Sequence, residues 1–197
     1  MYTLLKPFEV REALLERGLT VFTPYDFERV FAISDHKAKY FLEKEATTGL
    51  LLRLKKGLYS LKTDIPSEEE IANRLYRPSY ISFEYALSYY HLIPESVYEI
   101  TSATTKPTRR FDVSGKTFSY LTIKKQAYTG YTVIKKMDTS FVIAEPEKAV
   151  VDYCYFVSLG KKSLNNRLNI ATLNREKLYT YARLYERARI VSLIQTL

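Results

Sequence analysis

The chain predicts an α+β protein: a winged helix-turn-helix over residues 1–63, then a mixed α+β domain over 64–197 with a mostly antiparallel sheet. Three observations lead there. Between Phe22 and Tyr59 the pattern runs helix, tight turn, amphipathic helix, short basic hairpin. That order sets one helix in a DNA groove and a wing on the phosphates. Beyond residue 63, capped helical stretches alternate with β-branched runs. The 197 residues are 46% hydrophobic, enough to bury two modest cores.

The first helix is expected over Pro7–Arg17. Pro7 suits a first helical position, Val10, Ala13 and Leu14 recur at helical spacing, and Gly18 suits the stop. Val21-Phe22 reads as a short extended piece. Thr23 then caps a helix with Pro24 at its first position and Phe27, Val30 and Phe31 as its buried stripe. Ile33-Ser34 is the turn, with Ser34 as the expected N-cap of the next helix and Asp35 favouring its dipole. Ala38, Phe41 and Leu42 share one face of that helix. Glu45 falls on the same face, which predicts an open edge. The other face carries His36, Tyr40, Glu43, Lys44 and Thr47, flanked by Lys37 and Lys39. Gly49 ends the helix. Leu50–Leu54 and Leu58–Leu61 then form a hairpin around Lys55-Lys56-Gly57.

In the second domain, Ser67–Tyr76 reads as a helix with early acids, and Pro78–Ser82 as the approach to a helix capped by Ser82. Strands are expected over Tyr98–Thr104, Thr117–Ile123, Thr132–Lys135 and Phe141–Ala144. The helix from Pro146 is apolar almost all round, hence buried. Asp152 is its lone acid and needs an Arg, Lys or backbone partner. A last helix begins near Asn174, with Leu178, Tyr181, Ala182 and Tyr185 inside.

Lys and Arg number 30 against 22 Asp and Glu, a formal charge of +8. An excess of that size attracts polyanions, of which nucleic acid is the commonest in a cell; the plainer alternative is a solvated basic surface. Most of the 18 tyrosines and 10 phenylalanines are expected in the core. One cysteine, Cys154, forms no internal disulfide, and neither a leader nor a membrane span is read, so the expectation is a soluble cytoplasmic protein with no membrane association.

No catalytic residue, metal site or cofactor is read from the sequence, and the expectation is that the protein is not an enzyme. His36 and His91 are far apart and lack ligand partners at metal spacing. No nucleophile elbow, phosphate loop or dinucleotide fingerprint occurs. Glu145-Pro146-Glu147-Lys148 loosely resembles a metal-nuclease carboxylate set, but its spacing is wrong and a helix start explains it better.

The candidate DNA-binding residues are therefore His36, Lys37, Lys39, Tyr40 and Lys44 on the exposed helix, with Arg53, Lys55 and Lys56 on the hairpin. His36, Lys37 and Tyr40 would meet base edges; Arg53, Lys55 and Lys56 would take phosphates. Lys106, Arg109 and Arg110 form a second basic cluster that would extend the DNA footprint or meet an acidic partner.

Several stretches together resemble the AbiEi antitoxin family of bacterial toxin–antitoxin and phage-defence loci. They are Val21–Phe27, Ile33-Ser34, Gly49–Leu51, Lys56–Tyr59, Pro78–Leu87 and Ala144–Asp152. The resemblance spans most of the chain. It implies a winged-helix domain that represses its own operon by binding promoter inverted repeats. It also implies a second domain that counteracts a nucleotidyltransferase-type toxin, in a type IV arrangement where the two proteins need not form a stable complex. The operator-reading residues would be His36, Lys37, Lys39, Tyr40 and Lys44, with Lys55 and Lys56 on a wing that is short here. A protein-interaction antitoxin that binds its toxin directly, with DNA binding secondary, is the alternative.

Overall fold

The computed structural model describes residues 5–136 and 139–197. It is a mixed α+β structure with eight α-helices among the described residues and two sheets, one of three strands and one of six. The chain divides into two compact units, Met1–Leu75 and Tyr76–Leu197.

The first unit begins with α1 (Pro7–Glu16), β1 (Val21–Phe22), α2 (Pro24–Phe31) and α3 (Asp35–Thr48), followed by β2 (Leu51–Lys55) and β3 (Leu58–Leu61). Its sheet has the order β1-β3-β2, antiparallel throughout. Phe22, Leu51, Tyr59 and Leu61 join Val10, Leu14, Phe27, Ala38, Phe41 and Leu42 in one buried cluster, so the helices lie on one face of this small sheet.

The helix α4 (Glu68–Leu75) belongs to this unit as well, so the boundary lies at 75/76 and not at the expected 63/64. Specific ties explain why. Arg11 forks onto Asp64 (3.0 Å), and the Thr20 hydroxyl donates to Glu70. The Lys55 ammonium donates to the Leu75 carbonyl. A helix held at both ends by one body folds with that body, whatever the composition of the segment leading to it.

The second unit is built on a six-stranded sheet. Its strands are β4 (Ser79–Ile81), β5 (Ile100–Thr104), β6 (Arg109–Val113), β7 (Lys116–Thr122), β8 (Tyr131–Lys136) and β9 (Thr139–Ala144), in the spatial order β6-β7-β5-β4-β9-β8. The pairs β4–β5, β6–β7 and β8–β9 are antiparallel, whereas β5–β7 and β4–β9 are parallel, so the sheet is mixed. Two strands go beyond the expected four. Ser79–Ile81 is a buried central strand and not merely an approach to a helix. Arg109–Val113 is an edge strand completing a hairpin whose two-residue turn, Ser114-Gly115, has φ of 50° and 79°, as tight antiparallel turns require.

Four helices complete this unit: α5 (Phe83–Tyr89), α6 (Pro146–Ser158), α7 (Arg175–Arg183) and α8 (Ala188–Thr196). The expected buried helix is α6; Cys154 within it is fully buried, and burial pushes its thiol up to about 12, so it is inert packing. The expected single terminal helix is two, because the chain turns at Glu186 in the left-handed region (φ 49°). Asn174 caps α7 by accepting the Lys177 amide, and Tyr185 follows that helix and is fully buried.

Asp152 finds its partner one helical turn back. Lys148 and Asp152 are both wholly buried and form an ion pair. Asp152 also accepts from Tyr80 (2.9 Å), Ser82 (2.7 Å) and Tyr185 (2.5 Å). Ser82 is the N-cap residue of α5 as expected, but its hydroxyl serves Asp152 and makes no side-chain cap bond. The next residue, Phe83, is buried with φ 58°, an uncommon conformation for a bulky side chain. Its neighbours over-determine it: the Ser82 hydroxyl on Asp152, the Ser82 carbonyl on Thr101, and the ring edge-on to Phe156.

The tyrosines of this unit set its alkaline limit. Burial holds the Tyr80 and Tyr185 hydroxyls well above the usual tyrosine range, reinforced by Asp152. Burial also pushes Tyr90, Tyr128 and Tyr181 up to about 12. Their folded values exceed the unfolded value of about 10. Below pH ~10 both states keep the proton; above it the unfolded state loses protons first, so stability falls as pH rises. Alkaline titration should show tyrosinate absorbance appearing with cooperative loss of ellipticity. A smooth tyrosinate titration ending near pH 10 with the fold intact would contradict this.

Candidate nucleic-acid interface

The surface in question is built by α2, α3 and the β2–β3 hairpin. A reciprocal capping box starts α2: the Thr23 hydroxyl accepts the Asp26 amide (3.2 Å), and the Asp26 carboxylate accepts the Thr23 amide (2.9 Å). Ala32 ends it in the left-handed conformation (φ 49°), turning the chain within Ile33-Ser34. Phe27 packs against Phe22, Phe31 and Phe41, locking α2, α3 and β1 together. Gly49, at φ 102°, closes α3.

With Ala38, Phe41 and Leu42 buried, the 3.6-residue period turns His36, Tyr40, Glu43 and Thr47 outward. His36, Lys37, Lys39, Tyr40 and Lys44 are all exposed, Tyr40 at 66%. Two details differ from expectation. Glu45 is only 6% exposed and accepts the Thr48 hydroxyl, so that edge of α3 is closed. Ser34 occupies the N-cap position without a side-chain bond.

Lys39 is held by carboxylates. Its ammonium bonds Asp35 (2.8 Å), which raises the Lys39 pKa and lowers that of Asp35. Glu28 of α2 lies beside the pair, its carboxyl raised by partial burial and then by Asp35. The Lys39 flank of α3 thus faces two carboxylates, whereas Lys37 and Lys44 occupy the opposite flank, seven residues apart in sequence and so in line on the helix.

On the hairpin, Arg53 and Lys56 are exposed beside the Gly57 turn (φ 73°). Lys55 departs from its expected role: it is half-buried, with its ammonium on the Leu75 carbonyl at the end of α4. A C-terminal helix carbonyl carries partial negative charge and attracts a cation, and that local partner outcompetes solvent. Sequence reasoning passed over Tyr25 and Arg29, exposed on α2 with the guanidinium over the ring at 5.9 Å. Their four-residue spacing was the available signal.

Charge is divided unequally. Residues 1–75 carry 12 Lys and Arg against 12 Asp and Glu, and residues 76–197 carry 18 against 10. The whole excess of +8 therefore lies in the second unit, and α3 itself balances Lys37, Lys39 and Lys44 against Asp35, Glu43 and Glu45. As a whole α3 thus carries no net formal charge, and its exposed face is rich in donors. In the second unit Lys106, Arg109 and Arg110 are exposed, Lys106 and Arg109 lying 5.5 and 5.6 Å over the ring of Tyr76.

Among the described residues no three His, Cys, Asp or Glu side chains gather as a metal site would need, and no helix is long and apolar enough to cross a membrane. In comparison with known proteins, no family model matches the chain and no curated protein is similar to it.

Proposed function

We propose that the first unit is a winged helix-turn-helix that reads duplex DNA with α3, and that the protein is an AbiEi-like antitoxin and autorepressor of its own operon, not an enzyme. The observation that supports this best is the division of α3. Ala38, Phe41 and Leu42 are buried, and His36, Lys37, Tyr40 and Lys44 are exposed immediately before a hairpin showing Arg53 and Lys56. The partners on this reading are the promoter inverted repeats and, functionally, a nucleotidyltransferase-type toxin in the cytoplasm. Because residues 1–75 carry no net charge, the unit gains little from non-specific attraction and depends on base-edge contacts.

The test is titration of the full chain against DNA from upstream of its own gene, over a range of salt concentrations. Binding confined to the promoter repeats is the expected result. Equal affinity for unrelated DNA of the same length would refute operator reading. A second reading, neutralisation by direct contact with a protein partner, is favoured by the concentration of positive charge in the second unit.

A further inference from the structure

The edge strand β6 ends the six-stranded sheet, and among the described residues its only strand neighbour is β7. The β6–β7 ladder is an uninterrupted antiparallel register from Arg109↔Tyr120 to Val113↔Lys116, without bulge or proline. The two-residue turn makes Val113↔Lys116 a hydrogen-bonded pair, and alternation makes Phe111↔Phe118 and Arg109↔Tyr120 the same. The main-chain N–H and C=O of Arg110 and Asp112 consequently point away from the sheet. These are the groups that an added strand would pair with.

The side chains around this edge are charged in a particular pattern. Successive residues of a strand point to opposite faces, so Arg109 and Arg110 straddle the edge. Arg109 and Lys106 share the face of Tyr76, and neither makes an ion pair among the described residues. The Tyr76 hydroxyl donates to the Pro107 carbonyl and the Thr122 hydroxyl to the Lys106 carbonyl, so the connection carrying these cations is fixed in place. Arg110 lies 3.7 Å from Asp112 and donates to Thr117; both charged side chains remain open to water, at 64% and 70%.

We infer that β6 is a docking edge for an extended acidic segment of a partner protein, which adds as a seventh strand with consecutive carboxylates on Arg109 and Arg110. This deepens the second reading above. A second copy of this chain is disfavoured, because it would bring another strongly positive unit to the same edge. A nucleic-acid backbone fits less well: the outward carbonyls of Arg110 and Asp112 and the Asp112 carboxylate would repel phosphates, whereas a peptide strand has donors for all three. Written antiparallel to β6, the preferred core is a base opposite Asp112, an apolar residue opposite Phe111, then two acids opposite Arg110 and Arg109.

The probe is a fluorescein-labelled synthetic peptide with the core Thr-Lys-Val-Glu-Glu, titrated with the full-length protein. Two comparators are a peptide of equal charge N-methylated on the amide of the glutamate opposite Arg110, and a single-stranded oligonucleotide of equal net charge. Saturable binding is expected, at least about tenfold weaker for the N-methylated peptide, which has lost the N–H that would donate to the Arg110 carbonyl. The exposed double substitution Arg109→Glu/Arg110→Glu should weaken the peptide by at least about tenfold, with an unchanged melting profile. No binding of the peptide, equal binding of the N-methylated peptide, insensitivity to the double substitution, or tighter binding of the oligonucleotide would each overturn the inference. Rescue of growth by the wild-type protein against the neighbouring gene's product tests the reading beneath it separately. Rescue with no peptide binding removes the docking edge alone, whereas peptide binding without rescue removes only the antitoxin role.

Discussion

Asp152→Ala should destabilise the second unit by about 3–5 kcal/mol, the usual cost of stranding a buried charge. The carboxylate has no exposure and serves Lys148, Tyr80, Ser82 and Tyr185 at once. Its removal leaves an ammonium and three hydroxyls without their acceptor in a dry interior, where orphaned groups are costly. Lys148→Met should be milder by at least about 1 kcal/mol: the remaining carboxyl keeps three hydroxyl donors and can take a proton, so no charge need stay unpaired. Burial already lowers the Lys148 pKa, so the opposing pull of Asp152 only partly offsets the cost of burying the ammonium. Denaturant titration of both variants checks the order. A well-folded Asp152→Ala protein with wild-type midpoint would refute the account of this cluster. The consequence reaches the sheet as well, because Tyr80 lies on β4 between β5 and β9, and Ser82 fixes the strained Phe83. Loosening them frees the strands that carry β6.

The second large effect concerns DNA. Lys37→Ala/Lys44→Ala should weaken binding to the promoter repeats about tenfold or more. It should also lower the slope of log affinity against log salt by nearly one for each phosphate that is no longer neutralised. Lys39→Ala should change both far less, because its charge is offset by Asp35 and Glu28 before any DNA arrives. Lys55→Ala should leave affinity almost untouched and cost about 1 kcal/mol of stability, since its ammonium holds the end of α4. Fluorescence anisotropy across salt concentrations separates the variants. If the Lys37/Lys44 double variant bound the repeats as tightly as wild type, or if Lys55→Ala were the most damaging, α3 would not be the reading helix.

These two outcomes differ in how far they could be foreseen. The stripe of α3 followed from spacing alone: Ala38, Phe41 and Leu42 had to face inward together, so His36 and Tyr40 had to face out. The need of Asp152 for a partner also followed from its place on an apolar helix, though not the identity of its hydroxyl donors. Tyr80 and Tyr185 are 72 and 33 residues away in sequence. The fate of Lys55 was invisible, since two adjacent lysines at a hairpin tip look alike until α4 is brought against β2. The edge strand β6 was hidden for a similar reason: Arg-Arg-Phe-Asp-Val lacks strict alternation of apolar and polar residues, and only pairing with β7 makes it a strand.

What the amino-acid sequence decided by itself is the set of local choices: where Thr23 and Asn174 start helices, where Gly49 stops one, which side of α3 is oily, and that Cys154 sits inside. Each depends on interactions within a turn or two of chain. Tertiary structure alone decided that α4 joins the first unit, that the sheet is mixed, that Lys55 is engaged, and that the positive charge belongs to the second unit. Those outcomes turn on which distant groups meet, and burial and pairing energies between residues far apart in the chain settle that, with no signature in any one segment.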